Sequence, residues 1–74
     1  MTQDDIEIAI GMIRSHLAAY PHGADTLEGV AQWWLDGSFP PPVIAAALER
    51  LLAAGEMERV IIGQRQLWRR AQQA

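Results

Sequence analysis

The chain has 74 residues, no cysteine and no lysine, and nine acids against six arginines for a net charge of −3. A chain this short buries about 60% of its unfolded surface in one small core, so residues 1–74 are expected to form a single domain, and a doubly wound sheet, a large barrel or a two-domain enzyme is excluded. Half of the residues are hydrophobic and a fifth are charged, a balance that excludes intrinsic disorder.

The apolar runs are too short for a membrane span. The acidic start, MTQDDIEI, lacks the basic n-region of a signal peptide. Without cysteine there are no disulfides, thiolate metal sites or thiol nucleophiles, and a cytoplasmic location is expected.

Residues 3–19 read as a helix. Thr2 is placed to cap it, and Asp4 and Asp5 stand at the positive end of its dipole. Ile6, Ile10, Ile13, Leu17 and Tyr20 step by four and three along one face, and Pro21 and Gly23 end the segment. Ala24, Asp25 and Thr26 form a short extended link. Thr26 caps a second helix that runs to about Leu35, with Leu27, Val30, Ala31 and Trp34 on one face. Asp36–Gly37–Ser38 is a turn.

Proline at the first helical position starts a third helix, about Pro41 to Ala54. Ile44, Ala47, Leu48, Leu51 and Leu52 are its apolar face, and Gly55 stands at the C′ position. The remainder reads as a hairpin, with Gly63–Gln64 suited to a type II′ turn. A two-residue turn sets Val60 opposite Leu67, Arg59 opposite Trp68 as a cation–π pair, and Glu58 opposite Arg69 as an ion pair; a longer turn would shift all three pairings.

The order helix, link, helix, turn, helix, hairpin, carried by ADTLEGVAQWWLDGSFPPPVIAAALERLLAAGEMERV, resembles the winged helix-turn-helix superfamily. Thr26 resembles the cap of the second helix, and Val30 and Ala31 its buried pair. Leu48, Leu51 and Gly55 resemble the spine and end of the third helix, and Arg65–Ala71 the return strand of the wing. The resemblance implies an α+β, mainly helical fold of three helices followed by a C-terminal hairpin wing. It also implies DNA binding, with the third helix in the major groove.

Two features of the residues qualify that implication. With Ile44, Leu48 and Leu51 inward, the third helix keeps Pro41, Pro42, Val43, Ala45, Ala46 and Glu49 on or near its outer face. None of these is basic, and the neutral ones lack the side-chain donors that read base edges. The charge is also uneven: residues 1–58 carry about −7, while Arg59, Arg65, Arg69 and Arg70 make the last sixteen residues +4. These four arginines are the candidate contacts to phosphate or to a partner.

Several apolar residues are surplus to one core. Ile8 and Met12 lie roughly 160–200° from Ile6 and Ile10 on the first helix. Trp33 is turned about 100° from Trp34. Phe39 stands beside the prolines, and Trp68 lies on the opposite hairpin face from Val60 and Leu67. Ile8, Met12 and Ala19, with Trp33 and Phe39, are therefore the candidate protein interface, and a homodimer or protein partner is expected.

An enzyme is not expected. Ser15 and His16 point about 100° apart and do not form a nucleophile–base pair. His16 reads as a boundary residue and His22 as a loop residue. His22 with Asp25 is too few ligands for a metal, and the glycines do not form a phosphate loop. No cofactor, metal or small-molecule substrate is expected. The leading expectation is a small interaction module, with a DNA-binding regulator as the alternative.

Overall fold

The structure, a computed structural model, describes residues 3–71. It is an α+β, mainly helical chain in a winged-helix-like layout: three helical segments, then an antiparallel hairpin. The elements are α1 (Gln3–Ala19), β1 (Ala24–Asp25), α2 (Leu27–Gly29) with a π-helical continuation (Val30–Trp34), α3 (Pro41–Ala53), β2 (Met57–Ile62) and β3 (Arg65–Arg70). Thr2, expected to cap α1, lies outside the described residues. Among those residues no helix is long and apolar enough to cross a membrane.

α1 buries Ile6, Ala9, Ile10, Ile13 and Leu17. Tyr20 was expected to continue this stripe but is 63% exposed. It stands past the helix end, and its ring leans on His16 with centroids 4.9 Å apart instead of entering the core.

β1 was expected to be no more than a link. It is a strand whose Ala24 and Asp25 pair with Arg69 and Trp68, giving a three-stranded sheet in the order β1-β3-β2. The Asp25 carboxylate accepts the Thr26 N–H at 2.8 Å, and Thr26 Oγ1 accepts the Gly29 N–H at 3.1 Å. A Cβ at Gly29 would stand 1.9 Å from Asp25 Oδ1, so any other residue there must displace the Asp25 carboxylate.

After Gly29 the helix widens. The Leu35 N–H bonds to the Val30 carbonyl, five residues back, at 3.1 Å. In a regular α-helix Leu35 would be turned about 140° from Val30. The wide turn reduces that offset, and Leu35 is completely buried in the same core as Val30. Asp36 and Gly37 then adopt left-handed conformations with φ of 55° and 70°, and the Gly37 N–H closes the end on the Ala31 carbonyl at 2.8 Å.

α3 starts on three prolines whose missing N–H groups have no intrahelical partner to lose. It buries Val43, Ile44, Ala47, Leu48 and Leu51. Val43, expected on or near the outer face, is 1% exposed. The apolar arc of α3 spans about 140° from Val43 to Leu48, because other elements pack on both of its flanks. Gly55, with φ 76°, lets the Glu56 N–H return to the Leu51 carbonyl at 2.9 Å, a Schellman closure.

The hairpin has the expected register, Glu58 opposite Arg69, Arg59 opposite Trp68 and Val60 opposite Leu67. Gly63 supplies the positive φ, 63°, that a type II′ turn needs. Strand alternation places Met57 and Trp68 on the face toward the helices, and both are buried. Trp68, one of the surplus residues of the sequence, thus completes the core, and Val60 and Leu67 are half-buried on the other face.

Candidate interaction surfaces

The outer face of α1 holds Ile8, Met12 and Ala19 in one line. All three are exposed, Ile8 at 54% and Met12 at 37%. From Ile8 to Ala19 the line runs about 16 Å at 1.5 Å per residue. Two ion pairs hold the flanks of this helix to the rest of the molecule. Arg50 of α3 reaches Glu7 at 3.0 Å, and the Arg14 guanidinium donates to both carboxylate oxygens of Glu56, from Nε to Oε1 at 2.8 Å and from Nη2 to Oε2. Hydrogen bonding to the guanidinium lowers the Glu56 pKa from its ordinary value and raises that of Arg14.

The two adjacent tryptophans separate. Trp34 is half-buried against the core, and His16 stacks on it with ring centroids 4.3 Å apart and planes 14° from parallel. His16 is thus a boundary residue held by ring contact. Trp33 projects outward and is 81% exposed, more than any other large apolar side chain among the described residues. Phe39 packs half-buried against the core and offers only part of its ring to a partner.

The four wing arginines are not gathered into one patch. Cross-strand pairing sets Arg59 and Arg70 on the face of Met57 and Trp68, and Arg65 and Arg69 on the opposite face. Two of them are engaged by carboxylates. Arg69 bonds to Glu58 at 3.0 Å, and Arg59 lies 3.6 Å from Glu49 with its guanidinium carbon 5.7 Å from the centre of the Trp68 ring. Arg65 and Arg70 have no carboxylate within ion-pair distance among the described residues. They sit at opposite ends of β3, about 16 Å apart along the strand.

A groove of about 400 Å³ runs between α3 and the wing, lined by Leu27, Ala45, Glu49, Arg59, Arg65 and Trp68 among others. Its α3 wall is an alanine and a carboxylate, and the carboxylate draws in one of the two arginines opposite. Arg50, the lone basic residue of α3, is turned to Glu7.

The sequence reading missed the outer end of the hairpin. Ile61 and Ile62 are 67% and 60% exposed. Their position just before the Gly63 turn was the available signal, since a strand that projects beyond its sheet has nothing to pack on. A wider hollow of about 1010 Å³ lies between the end of α1, the end of α3 and the base of the wing, bordered by Arg14, His22, Glu56, Arg69 and Arg70. Among the described residues no group of three or more His, Asp or Glu could hold a metal ion.

No family model, curated protein or solved structure matches this chain.

Proposed function

We propose that this chain is a non-enzymatic protein-interaction module of the winged-helix type. In this reading it works in the cytoplasm, pairs with itself along Ile8, Met12 and Ala19 of α1, and presents Trp33 and the exposed part of Phe39 to a protein partner. The carrying observation is a contrast. The outward face of α3 carries prolines, alanines and Glu49, and its single basic side chain, Arg50, is paired with Glu7, while Trp33 leaves on the order of 200 Å² of apolar surface in water. A base-reading helix needs donors, and binding hot spots are rich in tryptophan.

A regulator that grips DNA phosphates is the second reading, favoured by the uncommitted Arg65 and Arg70. Two phosphate contacts give a salt slope of about −2 in log–log form. Titrating a duplex against the chain across a salt series, with light scattering on the free chain, tests both readings. The interaction-module reading expects dimers that Met12→Glu dissociates and no duplex binding beyond a weak low-salt component. Tight, sequence-dependent duplex binding, or a strict monomer, refutes it.

A further inference from the structure

β2 is an edge strand of the β1-β3-β2 sheet. The Ala71 N–H donates to the Glu56 carbonyl at 3.0 Å, which fixes the alternation along the hairpin. The peptide groups of Glu58, Val60 and Ile62 face β3, and those of Met57, Arg59 and Ile61 point out to the free side.

Proteins blunt such edges with charge, proline, a bulge or brevity. β2 has six residues in an unbroken register with no proline. Its two charged side chains, Glu58 and Arg59, are turned to Arg69 and Glu49. The outer half, Val60–Ile62, has no charge and keeps Ile61 and Ile62 largely in water.

We infer that this edge is closed by β2 of a second copy of the chain, antiparallel about a two-fold axis at Ile61, making one six-stranded sheet. The choice of a second copy rests on complementarity. A two-fold axis perpendicular to the sheet keeps every side chain on its own face, so only residues of like parity can stand opposite each other. An axis at Glu58 or Arg59 sets like charges against each other, which is destabilising. An axis at Val60 sets Ile61 against Arg59 and Ile62 against Glu58. The axis at Ile61 sets Ile61 against Ile61, Val60 against Ile62 and Arg59 against Gly63. Every exposed apolar residue of the strand then meets an apolar partner, and the outward N–H and C=O of Ile61 bond to their twins.

This contact is separate from the α1 stripe, and the test distinguishes them. Association of the full chain is followed by light scattering from micromolar to millimolar concentration. Ile61→Pro removes an N–H that only the edge contact uses, and proline is tolerated at such a position; Ile61→Lys adds a charge to the edge and keeps the N–H. Each is expected to weaken association through the edge at least tenfold with an unchanged far-UV circular dichroism spectrum, and the lysine variant decides if the proline variant unfolds. The chain has no cysteine, so Ile61→Cys, treated with diamide as the two-electron oxidant, is expected to form a disulfide-linked dimer across the axis. With both contacts present the wild type assembles beyond the dimer and each folded variant stops at a dimer; a wild-type monomer throughout, or assembly unaffected by the folded Ile61 variants, overturns the inference. Dimers lost in Met12→Glu and kept in Ile61→Lys overturn it while leaving the α1 contact standing; the reverse pattern leaves the edge contact and removes the α1 contact.

Discussion

Trp33 and Trp34 are neighbours in the chain, yet the structure assigns them opposite consequences on truncation. Trp33→Ala removes a side chain that is 81% exposed, and a surface substitution of this kind changes stability by no more than about 0.5 kcal/mol. Trp34→Ala removes a half-buried ring, the His16 stack and contacts to the core. A fully buried tryptophan costs about 3–5 kcal/mol when cut to alanine, so a half-buried one is expected to cost about 2 kcal/mol. A urea m-value of about 1 kcal/mol/M suits a chain of this size, so the midpoint for Trp34→Ala should fall by about 2 M and that for Trp33→Ala should barely move. Equilibrium unfolding followed by far-UV circular dichroism measures both. Equal shifts, or the larger shift for Trp33, would refute the rotation of this segment and with it the assignment of Trp33 to a partner surface. The same Trp33→Ala protein should bind the partner at least 30-fold more weakly, the equivalent of about 2 kcal/mol for a hot spot.

Three further outcomes follow from the packing. Gly29→Ala drives a Cβ into the Asp25 carboxylate; Asp25 must rotate and release the Thr26 N–H, and thermal unfolding should show a loss of about 1–2 kcal/mol. Leu35→Ala empties a fully buried core site and should cost about 2–5 kcal/mol by denaturant titration, whereas the same change at exposed Ile62 should cost little. Because the folded Glu56 pKa lies below its ordinary value, the Arg14–Glu56 pair adds stability above the unfolded carboxylate pKa, and the gain is lost as pH falls through the folded value. A melting-temperature series across the acid range should show a shallower decline for Glu56→Gln than for wild type; identical slopes would remove that pair from the acid response.

Much of this architecture was legible because it is local. The stepping of Ile6, Ile10, Ile13 and Leu17 defined α1, and the same angular arithmetic put Ile8 and Met12 on its far side. Glycine ahead of glutamine at 63–64 set the turn, and the turn set the whole register, including the Arg59–Trp68 and Glu58–Arg69 pairs. What escaped notice depends on distant partners. β1 has only two residues, too few for any periodicity, and exists because β3 lies alongside. The wide turn at Val30–Trp34 leaves no mark in composition; its origin is the burial of Leu35, which an α-helix would have turned aside. The Arg50–Glu7 and Arg14–Glu56 pairs join residues 43 and 42 positions apart in the chain, contacts that no local pattern encodes. Ile61 and Ile62 looked like ordinary strand residues, because nothing in a strand pattern tells how far the strand projects past its support.

The brevity of β1 divides the wing mechanically. It grips β3 only at Trp68 and Arg69, so β3 is clamped between β1 and β2 at the base of the hairpin and anchored in the core by the Trp68 ring, while along residues 60–67 the two hairpin strands pair only with each other. A load applied at Gly63 is carried along that cantilever to Trp68 and from there into the helices. Whatever docks at the tip thus has a lever on the interior of the molecule.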